Sequence, residues 1–300
     1  MKPIKQITGL ILLCLIWGTT WQVIKISLKG LPPFTGAGFR FIAASIVLFL
    51  IILLRRSSLH VNKRETRLLL LVAVLTYFID YGLIYWAEKY LSAGVTAVFF
   101  ATFPLFTAIL SNFVFKNEYF NWIKYLGLMI GFSGITIVFL DQLLITSFNT
   151  KIILASSGVI ISAVSAAIAT VIIKKHLTHI NSFSLSFYQM APGALFLLSF
   201  GLISENWAAI KLPTDVVLAV LYLAIIGSSV TFVIYYHLLR YMSAISLSTI
   251  IYVTPIVALI ADYLFFQEVP HVRTLVGSAL IVLGIWITQI RKRTTEKQLI

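Results

Sequence analysis

Residues 90–118, YLSAGVTAVFFATFPLFTAILSNFVFKNE, decide how this chain is organised. The stretch has a short polar start (Tyr90, Ser92, Ala93, Gly94), an apolar run interrupted by Pro104, and a charged exit at Lys116 and Glu118. Residues 241–268, YMSAISLSTIIYVTPIVALIADYLFFQE, repeat that plan. Tyr90, Ser92, Ala93 and Pro104 each match a residue 151 positions later. Glu118, Gly127, Gly134 and Ile135 match Glu268, Gly277, Gly284 and Ile285 at an offset of 150. Helix breakers and a loop carboxylate coincide, so the chain reads as two copies of one unit, 1–145 and 146–300.

Working outward, 60% of the 300 residues are hydrophobic and 11% charged, with a mean hydropathy of +0.99. That composition excludes a soluble domain. Apolar runs of about 20 residues, the helical length that spans a bilayer core, recur at 6–27, 35–54, 68–89, 92–115, 122–140, 151–173, 181–203, 216–239, 245–267 and 272–290. The first follows Lys2 and Lys5 as a signal peptide would, but it is too long and no small-residue cleavage site follows, so it is read as retained. The lone Cys14 excludes a disulfide framework and is read as a packing residue.

Orientation follows from the basic residues. With a cytoplasmic N-terminus, 16 of the 23 lysines and arginines fall in inside segments, six outside, and Arg40 within a span. The positive-inside rule then puts both termini in the cytoplasm of a multi-pass inner (cytoplasmic) membrane protein. The +13 charge is topological, and no nucleic-acid partner is expected. Five spans per unit force the second unit to enter the bilayer upside down. The expected fold is therefore all-α integral membrane, ten transmembrane helices as two inverted-topology five-helix repeats. Such repeats belong to secondary transporters, whose halves meet at a midplane site. Pro104 and Pro255 fall near mid-span, where a proline frees a carbonyl and kinks a helix that lines protein or a cavity.

The run Ile16-Trp17-Gly18-Thr19-Thr20, then Leu31-Pro32-Pro33-Phe34, Arg40-Phe41, Tyr85-Trp86-Ala87-Glu88, Ser92-Ala93-Gly94 and Phe100-Ala101-Thr102-Phe103-Pro104-Leu105-Phe106 resemble the drug/metabolite transporter superfamily, EamA branch. Tyr252-Val253-Thr254-Pro255-Ile256 and Glu268 carry the resemblance into the second half. It implies ten helices, the first to fourth and sixth to ninth around a central cavity, the fifth and tenth peripheral. It also implies export of amino acids or other small metabolites. The sequence departs at Asp80, where the resemblance implies a neutral or amide residue.

Ionisable residues inside a membrane are functional candidates by default. Asp80 lies eight residues before Glu88, roughly 12 Å of helix from the outer surface, with Tyr77 and Tyr81 on the same side. A carboxylate beside two phenols suits a substrate ammonium or a transported proton; a structural carboxylate is the plainer reading. Arg40 and Asp262 are read together as a charge cluster with Glu268, either a gate or a static ion pair. The repeat offset maps Tyr77 onto Ser228, Asp80 onto Thr231 and Tyr81 onto Phe232, and Gln189 occupies the position in the seventh span that corresponds to Arg40. Ser228, Ser229 and Thr231 therefore become candidates for the opposite cavity wall. Trp17 and Trp21, one turn apart and away from the interfaces where tryptophans gather, are read as a stacking wall. Thr102, Phe103, Tyr252 and Thr254, around the two prolines, complete the candidate cavity. His237 is read as an interface residue, Lys25 and Glu88 as span ends, and Gly127, Gly131 and Gly134 as a helix-packing face.

Enzyme readings fail on motifs. None of the five histidines sits in an HExxH motif, the aspartates lack a GxGD context, and no P-loop exists. No metal or other cofactor is expected. A phosphate-bearing substrate would need converging arginines or lysines; the candidates are instead aromatic, hydroxylic and acidic. The sequence reads as a secondary carrier, an exporter of small metabolites such as amino acids or amphiphilic amines, with proton coupling an option. It would work in the lipid bilayer as a monomer or homodimer. The alternative is a non-transporting or lipid-handling membrane protein on the same fold.

Overall fold

Helix starts follow from side chains that supply an acceptor to first-turn amides. Asn62 accepts from Glu65 N at 2.9 Å, Ser92 from Val95 N at 3.3 Å, Asn149 from Lys151 N at 2.9 Å and Asn181 from Phe183 N at 2.9 Å. The computed structural model describes residues 3–115, 122–145, 149–267 and 269–289, and among these there is helix and no strand. In chain order the helices are α1 (Pro3–Ser27), α2 (Pro33–Leu54), α3 (Lys63–Ala87), α4 (Ala93–Val114), α5 (Trp122–Ile145), α6 (Thr150–His176), α7 (Ser182–Ser204) and α8 (Thr214–Tyr241). Then come α9, built from Ala244–Ser248, Thr249–Tyr252 and Val253–Phe266, and α10 (Val272–Gln289). Among the described residues seven helices, α1 to α4 and α6 to α8, are long and apolar enough to cross a bilayer. The protein is a multi-pass membrane protein. Lys116, Glu118 and Glu268 lie outside the described residues, as do the side chains of Tyr252, Pro255 and Asp262.

The two prolines do more than bend their helices. α4 ends its first half at Phe100 and restarts at Phe103, so Pro104 is the second residue of a new helix. α9 passes through a 3-10 turn, Thr249–Tyr252, and restarts at Val253, two residues ahead of Pro255. A proline in a first turn has no amide to lose. Each proline thus sits just after a local departure from the α-helix, a two-residue turn in α4 and a 3-10 segment in α9.

A second paired irregularity has no signal in the sequence. Val74–Tyr81 in α3 and Ile225–Val230 in α8 are π-helical; Ile225 is 151 residues after Val74. Wider turns leave carbonyls in need of donors, and side chains supply them. Ser165 of α6 donates to Leu75 O at 2.8 Å, Ser229 to Ala224 O at 3.0 Å, and Arg40 Nη2 to Gly227 O at 3.1 Å.

Side chains tie neighbouring helices together at their ends, within each half and across the two. Lys25 donates to the carbonyls of Glu88 and Leu91 at 2.9 and 2.7 Å, closing the C-terminus of α3. Lys174 donates to Leu239 O at 2.7 Å, closing the C-terminus of α8 in the same way. Lys25 thus acts as a cap rather than reaching for the surface. The carboxylate of Glu205, at the end of α7, accepts from Phe34 N at 2.9 Å, Thr35 N at 2.8 Å and Thr35 Oγ1 at 2.8 Å in the first turn of α2. Glu205→Ala should cost about 0.5–2 kcal/mol, the usual loss for a missing N-cap, read as a lower thermal transition in detergent; an unchanged transition would mean water replaces the carboxylate at no cost.

α5 and α10 pair through glycine. A Cβ on Gly134 would lie 2.5 Å from Gly277 O, and one on Gly284 would lie 2.4 Å from Gly127 O. The earlier glycine of each helix faces the later one of the other, so the two run antiparallel. Because Gly277 and Gly284 are the repeat mates of Gly127 and Gly134, the pairing is reciprocal, as across a two-fold axis. Asp141 closes one end of the pair, accepting from Thr274 Oγ1 at 2.9 Å beside His271 Nδ1 at 3.2 Å.

Candidate functional site

The interrupted helices and π segments surround one concave space. It is a cavity of about 70 Å³ between the two halves, lined by α1, α3, α4, α6, α8 and α9. α2 and α7, included in the expected inner set, contribute no lining residue. They pack on each other instead, Phe34 against Phe200 with ring centroids 4.6 Å apart.

The wall is aromatic. Trp17 meets Tyr235 and Phe232 at centroid distances of 5.3 and 5.6 Å, Trp21 meets Phe100 at 5.6 Å, and Phe100 stacks on Phe103 at 5.7 Å. Thr20, Thr76, Thr170 and Thr254 set hydroxyls among the rings, and Asp80 is the one carboxylate on the lining. Asp80 is 3% exposed. Its Oδ1, and the indole nitrogens of Trp17 and Trp21, are buried with no hydrogen-bond partner among the described residues. Each such group costs about 1–3 kcal/mol when left unmet. Two donors and a carboxyl oxygen therefore lie buried in the walls of a single apolar chamber.

Of the residues singled out in the sequence, Trp17, Trp21, Asp80, Tyr81, Phe103 and Thr254 line this cavity. Tyr77 is set behind it, fully buried, with its ring 6.1 Å from Tyr81 and 4.8 Å from Phe41. Thr102 turns back to Phe99 O at 2.8 Å, in the break of α4. Ser228, Ser229 and Thr231 are not on the lining. Ser228 Oγ accepts from Arg40 Nε at 2.8 Å, Ser229 donates to Ala44 O at 3.2 Å, and Thr231 donates to Ser228 O at 3.4 Å. The hydroxyls of Ser228 and Ser229 turn to α2, and α8 presents Phe232, Tyr235 and Tyr236 to the cavity instead. Tyr235, Tyr236, Thr20, Thr76 and Thr170 were missed in the sequence, where nothing but the helical phase could have found them.

Arg40 is fully buried. Its guanidinium lies over the rings of Tyr81 and Phe41, 4.8 and 4.9 Å from their centroids, and its described hydrogen bonds go to Ser228 and Gly227. It takes part in no ion pair among the described residues. The Asp262 side chain, its expected partner, lies outside them. Gln189, the repeat mate of Arg40, accepts from Tyr236 Oη at 2.9 Å, so one equivalent position carries a buried cation and the other a neutral amide.

Comparison with known proteins agrees with this layout. The model of the EamA-like transporter family matches twice, over residues 4–140 and 153–290. "Uncharacterized transporter YoaV" of Bacillus subtilis is 26% identical over 284 residues, covering 95% of this chain and 96% of that protein. "Protein PagO" of Salmonella typhimurium is 24% identical over 283 residues, covering 94% and 91%. A solved crystal structure with 16% identity matches the fold at a TM-score of 0.72, over 96% of this chain and 98% of its own. With both halves fitting one family model and its helices assembled around a shared cavity, this chain belongs to the EamA-like transporter family.

Proposed function

We propose that this protein is a secondary-active exporter of small zwitterionic or cationic metabolites, amino acids or amphiphilic amines, working by alternating access. Two five-helix repeats, 1–145 and 146–300, cross the inner membrane ten times in inverted orientation, with both termini in the cytoplasm. The antiparallel glycine pairing of α5 with α10 and the matching caps from Lys25 and Lys174 support the inversion. The basic residues near Arg55, Lys63, Lys174 and Arg240 support the orientation.

One observation carries the substrate reading: a buried carboxyl oxygen and two indole N–H groups, none with a hydrogen-bond partner among the described residues, belong to side chains that line the same chamber. An ammonium answers Asp80, and a carboxylate or other acceptor answers Trp17 and Trp21. At about 70 Å³ the chamber holds roughly two waters, so substrate entry parts the walls that the two repeats contribute. Loss of substrate lets Asp80 take a proton, which gives the return step a coupling ion.

The test is counterflow. Purified protein in liposomes preloaded with single amino acids or aromatic amines should accumulate the same labelled compound saturably. A folded preparation without counterflow across that panel would replace the carrier with the non-transporting reading.

A further inference from the structure

A second concave site lies on the side of the bundle, at the basic end, between α1, α7 and α8. It is a groove of about 600 Å³ and shares no lining residue with the central cavity. We propose that it binds the phosphate of an anionic glycerophospholipid from the adjoining leaflet.

Its polar groups gather at one end. α7, 23 residues long, starts there at Ser182, and the first-turn amides of such a helix carry partial positive charge toward an anion. Arg240, on the lining, donates from Nη2 to the carbonyl of Ile180, which holds its guanidinium beside that helix start. Ser182, also on the lining, is 5% exposed, and its Oγ has no hydrogen-bond partner among the described residues. His237 adds a ring nitrogen, and among the described residues the lining has no carboxylate. A guanidinium, a buried unmet hydroxyl and a helix N-terminus together form a phosphate-binding set.

The rest of the groove is apolar. Going from Arg240 to Val233 moves roughly 10 Å along α8, away from the basic end, past Ile234 and opposite Leu12 of α1. Gly9 brings α1 close, since a Cβ there would lie 3.1 Å from Leu238 Cδ1. The adjoining face of α1 exposes Ile4, Ile7 and Ile11 at 76%, 56% and 54%. A free anion would leave this apolar wall uncovered; a lipid covers it with an acyl chain while its head meets Ser182 and Arg240. Basic ends of membrane helices also favour anionic leaflets electrostatically.

Native mass spectrometry of the purified protein tests this, with dioleoylphosphatidylglycerol and dioleoylphosphatidylcholine offered at equal concentration. One phosphatidylglycerol should be retained in preference. Ser182→Ala and Arg240→Gln should each weaken its retention about tenfold, the usual loss for a hydrogen bond to a charged group. Ser182→Ala leaves the Arg240 to Ile180 bond in place, so it reads binding even if Arg240→Gln misfolds. Equal retention of both lipids, unchanged retention by Ser182→Ala, or displacement by millimolar inorganic phosphate would each overturn the proposal. None of these measurements uses flux, so they stand or fall apart from the carrier reading.

Discussion

Asp80→Asn is expected to cut substrate exchange by about 10- to 100-fold while leaving the protein folded. The amide has the shape of the carboxylate and keeps an acceptor, so packing around α3 is preserved. What disappears is the charge. A hydrogen bond to a charged partner contributes about 1.5–3 kcal/mol, which is that range in affinity. Asparagine fills the same volume and removes an ionisable group from a buried site, so the thermal transition should hold or rise. This separates a binding role from a structural one: a carboxylate that organised the fold would lower the transition when replaced. Wild-type exchange with wild-type pH dependence in Asp80→Asn would remove this residue from the substrate's path.

The largest effect on stability is expected at the glycine contact of α5 and α10. In Gly284→Leu the new Cβ would lie 2.4 Å from both Gly127 O and Gly131 N; in Gly134→Leu it would lie 2.5 Å from Gly277 O and 2.8 Å from Ile281 N. Each of these neighbours is backbone, so no rotamer change relieves the clash and a whole helix must move. Overpacking costs about 1–3 kcal/mol even where side chains can yield, and here about 3 kcal/mol or more is expected. Gly158→Ala is the control. Its nearest atoms, on Leu83 and Trp86, are 3.7 Å away, so it should stay within about 0.5 kcal/mol of wild type. Thermal unfolding in detergent reads both, and equal transitions for Gly284→Leu and Gly158→Ala would mean that the two helices do not meet backbone to backbone.

Features with a covalent cause were legible in the sequence. Proline and glycine restrict or free the backbone wherever they occur, so Pro104, Pro255 and the glycines at 127, 134, 277 and 284 announced the duplication. Asp80, Trp17 and Trp21 stood out because such side chains are costly or unusual within an apolar run. What stayed hidden was phase. A helix that is apolar on every side carries no periodicity to betray one extra residue per turn, so the π segments left no trace. The hydroxyls of Ser228 and Ser229 were expected on the cavity wall, and the structure turns them to α2. Arg40 was expected to seek a carboxylate; its described bonds go to a serine hydroxyl and to a glycine carbonyl within a π segment, a partner that any residue can supply. The caps from Lys25 and Lys174 were hidden for the same reason.

The paired π segments bear on how the carboxylate can be presented. A π turn stores one surplus residue, and passing that surplus along a helix re-phases each side chain it crosses by roughly 100°, the angular step of an α-helix. Asp80 is the penultimate residue of its segment, Val74–Tyr81. Sliding the surplus by a single turn would swing the acid out of the chamber without any helix leaving its place, so local rewinding and exposure of the charge are mechanically the same event.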